Sequence, residues 1–188
     1  KPIPKEIRSL YLGGRGINMY LLYNHIEPEI DSLSPENVLL IGAGLIGGIP
    51  CLGSGRCDIA GKSPLTGAVG DSNIGGFFAP ELRFAGFDHL VIAGTAKKPV
   101  YIWISDGEIE VRDASSLWGK DTFETQTAIR SDLGDEEVKC LVIGEAGENL
   151  VRFANVRTGI KNAAGRTGLG CVMGSKKLKA IAVRGTMN

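Results

Sequence analysis

Four cysteines, two histidines and scattered carboxylates are the side chains of this 188-residue sequence that could do metal, covalent or proton-transfer chemistry. Cys51, Cys57, Cys140 and Cys171 contain no CxxC pair, so spacing alone gives no zinc or iron–sulfur site. They read as ordinary reduced, buried thiols, with Cys51 and Cys57 beside a redox centre as the alternative. His25 falls on a predicted helix and His89 at a strand start, where structural or surface roles outweigh catalysis. Asp58, Asp71 and Asp88 are isolated carboxylates of the kind that form turns or sit in strands. No Ser–His–acid or Cys–His pattern is present, and no catalytic acid, base or nucleophile is assigned.

Two stretches have phosphate-binding spacing. GAGLIGG (42–48) after VLLI matches GxGxxG, whose glycines let a helix N-terminus face a pyrophosphate. Gly48, Pro50, Gly53 and Gly55 follow where a helix is required, which argues against a dinucleotide site. GKS (61–63) resembles the end of a P-loop, yet Arg56 stands where the first glycine belongs and Pro64 disallows the helix geometry. What remains is a set of anion-friendly groups: Arg56, Lys62 and the backbone amides of glycine loops.

These groups must be held by a folded scaffold. Lys plus Arg (21) equals Asp plus Glu (21), which disfavours coating a nucleic acid by bulk charge. Hydrophobic residues make up 43%, enough for a core. No apolar run approaches the ~18–20 residues that span a bilayer, and no secretory-type start opens the chain, so it reads as cytoplasmic and free of membrane. Lys1, with Leu10–Tyr11–Leu12 soon after, reads as the start of a piece of a longer polypeptide. Glycine accounts for 27 residues, twice the usual share of roughly 7%, and serves tight turns or close backbone approach.

Periodicity predicts a helix over 17–26, strands at 38–44, 55–61, 138–147, 150–158 and 178–185, and a β-hairpin over 101–112 turning at Asp106–Gly107. A helix is predicted from Asp121 to Leu133, with Glu124 completing a capping box, Gly134 as the stop, and Phe123, Ile129 and Leu133 on the buried side. Strands in hairpin-like clusters with few helices give an α+β class rather than a doubly wound sheet. An internal repeat is visible: VLLIGAG (38–44) resembles CLVIGEAG (140–147), and FDHLVIAG (87–94) resembles LKAIAVRG (178–185). Each pair encloses a glycine-rich stretch, DSNIGGFF (71–78) and NAAGRTGLG (162–170), so two similar halves would present two similar loops to one site.

YLGGRGINMYLLY, LSPENVLLIGAG, GRCDIAGKSPLTG, SNIGGFFAPELRFAGFDHLVIAG, IEVRDASSLWGKDTFET, IGEAGENLVRFA and AAGRTGLGCVMGSKKLKAIAV stand in collinear order over nearly the whole chain. Together they resemble the N-terminal domain of tungsten-containing aldehyde ferredoxin oxidoreductases.

The resemblance implies one domain over residues 1–188, built of two β-rich repeats (roughly 1–97 and 98–188) related by a pseudo-twofold axis. On this base would lie a tungsten (or molybdenum) bis-pyranopterin whose phosphates share a magnesium ion. Arg56 matches the family arginine between pterin and a [4Fe–4S] cluster; Asn73 and Ala163 match the positions whose main-chain carbonyls bind the magnesium; Gly75 matches a backbone contact to the pterin. The sequence departs from the family pattern at Asn162, where an arginine often stands, and at Ile74, which leaves one phosphate or pterin contact open. The implied activity is oxidation of an aldehyde to a carboxylic acid with ferredoxin as acceptor, in an enzyme that is allowed to be a homodimer. Cluster ligands and substrate pocket would belong to later domains, so the 188-residue chain alone is expected to be inactive. A benzoyl-coenzyme A reductase subunit is the alternative within the family, and a non-catalytic glycine-rich binding or assembly module the alternative outside it.

Overall fold

A computed structural model describes residues 2–187. Helices α1 (Lys5–Tyr11) and α2 (Arg15–His25) lead into β1 (Leu39–Ala43), β2 (Cys57–Lys62), β3 (Val69–Ile74), α3 (Phe78–Phe84) and β4 (His89–Ile92). These strands form one sheet in the order β3-β2-β1-β4 with every neighbouring pair antiparallel. There follow β5 (Val100–Ser105), β6 (Glu108–Asp113), α4 (Thr122–Leu133), β7 (Lys139–Val142), α5 (Glu145–Glu148), β8 (Val156–Thr158), β9 (Asn162–Ala164), α6 (Leu169–Ser175) and β10 (Leu178–Arg184). The second sheet runs β6-β5-β10-β7-β8-β9, and only its β5–β10 pair is parallel. The class is α+β, as the clustering of strands implies.

Alternation along the central strands explains the layering. In β1, Leu39, Ile41 and Ala43 enter the main core, whereas Leu40 on the opposite face packs with Leu22 of α2. In β10, Ile181 and Val183 enter the same main core while Ala180 and Ala182 face Ile129 of α4. The two sheets therefore share one interior, completed by Phe78, Ala79 and Leu82 of α3 and Leu169, Val172 and Met173 of α6. Each fully buried Leu or Ile there contributes about 1.5–3 kcal/mol from removal of apolar surface. Polar clamps also cross between the sheets. The buried Lys176 after α6 donates to the carbonyls of Asn37 and Gly94, and Glu81 of α3 accepts from the Gly185 N–H at 2.9 Å and from Arg184 at 2.8 Å.

Local chemistry accounts for the elements that the sequence predicts. The hairpin turns through Asp106 (φ 41°) and Gly107 (φ 91°), both left-handed as a type I′ turn requires, and Ser105 pairs with Glu108. Helix α4 opens on a capping box between Asp121 and Glu124 and stops at Gly134 in the left-handed region. Ile129 is buried and Leu133 packs beside it as expected, whereas Phe123 is 46% exposed and Thr125 and Gln126 face inward instead. Gln126 brackets the Gly159 peptide, accepting from its N–H at 2.9 Å and donating to its carbonyl at 3.3 Å, and this buries a polar residue at that position.

Other expectations are corrected. Only Val156–Thr158 of the predicted 150–158 strand pairs as a strand. The preceding segment instead lies against the start of α6, where Gly170 N–H donates to the Ala154 carbonyl at 3.0 Å. Helices α3 and α6 escape periodicity because Pro80 and the pair Gly170 and Gly174 lower helix propensity. Pro80 sits in the first turn, where no intrahelical N–H is lost. Gly174 is dictated by packing: a Cβ there would lie 1.9 Å from the Gly147 carbonyl oxygen.

Candidate cofactor-binding face

The GxGxxG glycines serve the fold. Gly14 N–H donates to the Ala43 carbonyl at 2.9 Å, and a Cβ on Gly13 would come 3.3 Å from the Leu45 nitrogen, so LGGRG and GAG lie backbone to backbone. Residues 44–54 run through turns with no helix, consistent with the rejection of a dinucleotide site. The GKS segment is also structural. Lys62 Nζ donates to the carbonyls of Pro28 and Ile30, and Ser63 Oγ donates to the Thr167 carbonyl at 2.7 Å. Lys62 therefore leaves the anion-friendly set, being consumed by carbonyls at the far end of β2 from Arg56.

The remaining groups gather where β2 begins and β3 ends. Arg56, just before β2, donates from Nη1 to Asn73 Oδ1 at 3.2 Å, and both side chains are exposed. Behind Asn73 the chain turns through Gly75 and Gly76, the latter at φ 118°, a conformation that favours glycine. The turn is hemmed in from two sides. A Cβ on Gly55 would lie 2.5 Å from the Gly76 carbonyl oxygen, and one on Gly76 would lie 3.2 Å from Asn162 Nδ2. A Cβ on Gly75 would approach Asn162 Oδ1 at 3.6 Å and Arg56 Nη1 at 3.7 Å.

Arg56, Asn73 and Gly75 are thus brought together, and Asn162 joins them from the other half of the chain. Ala163, the next residue, is exposed on β9, and β9 packs beside β3. Just before the stretch 71–78, a Cβ on Gly70 would lie 3.1 Å from Thr167 Cβ, within the stretch 162–170. Arg15 of α2 closes one flank through an ion pair with Asp71 at 2.9 Å. Arg56 has no carboxylate within salt-bridge distance among the described residues, so its charge faces only neutral groups.

Beneath this face lies a polar cluster that the sequence does not reveal. Asp58 is 2% exposed, and burial pushes its carboxyl up to about 6 against the opposing hydrogen bond from Asn18. Asn18, itself fully buried, donates to Asp58 Oδ2 at 2.8 Å and meets His89 Nδ1 at 2.9 Å. Burial pushes His89 down to about 4, so its ring is neutral at pH 7. The only sequence signal is Asn18 standing on the apolar side of α2 next to Ile17. Cys57, Cys140 and Cys171 are buried, and burial pushes their thiols up. Cys51 is exposed, contrary to a uniformly buried set. Among the described residues no three His, Cys, Asp or Glu side chains converge as metal ligands, and no helix is long and apolar enough to cross a membrane.

Fold and face together define an α+β domain with one end lined by glycine backbone and a guanidinium free of acidic partners. Residues 1–185 match the family model described as aldehyde ferredoxin oxidoreductase, N-terminal domain, and the chain belongs to that family. It is 51% identical over 182 residues to the tungsten-containing aldehyde ferredoxin oxidoreductase of Pyrococcus furiosus, covering 97% of this chain and 30% of the relative. The corresponding protein of Thermococcus kodakarensis is 48% identical with the same coverage. A WOR-like subunit of an aliphatic sulfonate oxidoreductase from Pyrococcus furiosus is 34% identical over 200 residues, covering 98% of this chain and 32% of that one. Among solved structures, a chain of the benzoyl-coenzyme A reductase active-site complex BamBC with 1,5-dienoyl-CoA superposes with a TM-score of 0.98 at 40% identity, over 100% of this chain and 29% of its own. The chain therefore spans about 30% of the length of these relatives.

Proposed function

We propose that this chain is the base on which a tungsten (or molybdenum) bis-pyranopterin lies in an enzyme that oxidises aldehydes to carboxylic acids and passes electrons to ferredoxin. The observation that carries the proposal is the glycine turn at 75–76, set between Arg56 and Asn162, where Gly76 adopts φ 118° and an added Cβ would press on Asn162 Nδ2 at 3.2 Å. A phosphate-bearing cofactor needs backbone amides at close range and positive charge without a competing carboxylate, and this face offers both. When bound, the cofactor supplies the two-electron redox chemistry at its metal. Arg56 would donate hydrogen bonds to the pterin and offset its negative charge, the Asn73 and Ala163 main-chain carbonyls would hold a magnesium ion, and the Gly75 backbone would contact the pterin. In this reading the cluster ligands and the substrate pocket would come from other segments of a longer protein. An aldehyde substrate is favoured over a benzoyl-coenzyme A one by the 51% identity to an aldehyde enzyme against 40% to the reductase neighbour.

In this reading the domain over 1–188 consists of two repeats, roughly 1–97 and 98–188, about a pseudo-twofold axis. Support comes from the strand order β3-β2-β1-β4, repeated as β9-β8-β7-β10, with α3 and α6 each standing before the last strand of its set. The clamps are reciprocal as well: Glu81 of the first half holds Gly185, and Lys176 of the second holds Gly94, the matching glycine of the repeat.

Metal and phosphate analysis of the full-length protein from tungstate-grown cells tests the function. About one tungsten per chain with pterin phosphate is expected. Protein that is folded, gel-filtered and free of tungsten and molybdenum would refute the assignment and favour a binding or assembly module.

A further inference from the structure

The buried chain Asp58–Asn18–His89 is employed by no part of the proposed cofactor contact. Asn18 has two amide ends and both are committed. Its Nδ2 donates to the carboxylate of Asp58 at 2.8 Å and to the Asp58 main-chain carbonyl at 3.1 Å, so its Oδ1 must accept. The partner of that oxygen is His89 Nδ1 at 2.9 Å, which fixes the neutral imidazole as the Nδ1–H tautomer. Rotating the amide by half a turn would set Oδ1 against two oxygens of Asp58, so Asp58 determines which way Asn18 faces and His89, as the Nδ1–H tautomer, holds the amide oxygen from the other side. Gly42 makes the contact sterically feasible, because a Cβ there would lie 2.5 Å from His89 Cε1 and 2.9 Å from Asn18 Oδ1.

Asp58 is well placed to transmit this constraint. It stands opposite Asn73 in the β2–β3 ladder and two residues after Arg56, whose guanidinium donates to Asn73. Among the described residues the Asn18 amide gives the only hydrogen bond that the Asp58 carboxylate receives, its Oδ1 being buried without a protein partner. Three elements, α2, β2 and β4, are thus tied to one amide, and Asp58, which that amide holds, is the ladder partner of Asn73.

We propose that Asn18, held between Asp58 and His89, is the positioning residue that fixes the Arg56–Asn73 pair on the cofactor face. The role rests on the cofactor reading for its consequence, while its geometric content stands by itself. Residues that orient a contact shell typically change metal affinity by roughly 10–100-fold when removed.

The test compares the full-length wild type with Asn18→Ala, His89→Phe and His89→Gln. Tungsten per folded chain, the tungsten(V) electron paramagnetic resonance line of the retained metal, and the crystal structure of each protein are recorded. The expected result is a loss of most tungsten in Asn18→Ala, a smaller loss in His89→Phe, and an altered or broadened line from what remains in both. In the corresponding structures the Arg56–Asn73 hydrogen bond is lost. His89→Gln, which can still donate to Asn18 Oδ1, restores wild-type content and line shape. If Asn18→Ala fails to fold, the His89 pair decides alone. Retained metal with an unchanged line, or Arg56 still bonded to Asn73 in His89→Phe, would overturn the proposal and leave the cluster a stability element only. A tungsten-free wild type would instead refute the cofactor reading, and the crystal structures would still decide the positioning role.

Discussion

The turn after β3 and the turn between β5 and β6 use glycine for different reasons. Gly107 in the hairpin adopts φ 91° with nothing within 4 Å of an added Cβ, so only backbone conformation demands it. Gly76 adopts φ 118° and in addition would press a Cβ to 3.2 Å from Asn162, a residue of the other half. The nearby arginines differ in the same sense. Arg112 on β6 is paired with Glu110 at 2.7 Å and stands 5.9 Å over the Trp103 ring, so its charge is already answered. Arg56 meets only the amide of Asn73. A self-contained turn is a scaffold feature, whereas a turn crowded by distant residues and left with a free cation has the makings of a site.

The sharpest way to break this comparison is to exchange the arginines' fates. Arg56→Ala in the full-length enzyme is expected to lose most bound tungsten, because charge-assisted contacts to an anion are worth roughly 1.5–3 kcal/mol each. Arg112→Ala should leave metal content and turnover unchanged; equal metal content in the two variants would erase the distinction. Next in size is Gly76→Ala against Gly107→Ala. Both accept backbone strain of about 1 kcal/mol or more, but only Gly76→Ala should also lower tungsten retention. Urea midpoints together with metal content separate the two. Arg112→Ala should then cost under about 1 kcal/mol of stability, the usual scale of an exposed ion pair with a cation–π contact.

The smallest effect concerns acid. His89 is held down to about 4 against an ordinary 6.5, so the unfolded chain takes its proton first and this residue's contribution to stability falls as pH drops from 6.5 to 4. Asp58, raised to about 6 from 3.8, works in the opposite sense: the folded chain takes that proton first, and its contribution rises as pH drops from 6 to 3.8. Wild-type stability should therefore change little from these two groups over that range. His89→Gln should gain relative stability toward pH 5, and a urea midpoint that instead falls more steeply than in the wild type would show the signs to be misassigned.

The same contrast explains what the sequence discloses. The 101–112 hairpin and the helix after Asp121 are legible because their causes are local: an Asp-Gly turn between alternating arms, and a capping box with a glycine stop. Helix α6 is hidden because Gly170 and Gly174 are chosen by the Asn155 and Gly147 carbonyls they touch, which are distant in sequence. At the candidate face, Arg56, Asn73, Gly75 and Ala163 come from resemblance to a family. Their convergence with Asn162, the removal of Lys62 to the carbonyls of Pro28 and Ile30, and the Asn18 cluster all depend on long-range packing that no spacing rule encodes. Phe123 shows the converse: helical spacing puts it on the apolar side, yet Gln126 is the residue drawn inward, by the Gly159 peptide.

The division of labour between this chain and the rest of the enzyme is also measurable. The isolated 188-residue chain should fold, yet retain no tungsten and oxidise no aldehyde with a viologen acceptor, since under the proposed reading it would cover only one side of a cofactor, and small-molecule sites normally bury more than about 70% of their ligand. Stoichiometric tungsten in that chain would place the whole site within it.

The proposed cofactor surface consists of the glycine turn at 75–76, Arg56 and Asn162. An anomalous-scattering map of the full-length crystal, recorded at the tungsten absorption edge, locates the metal directly. A single tungsten peak facing this surface is expected, with cofactor density running against Gly75 and Arg56; a peak on any other face of the domain would contradict the proposed site.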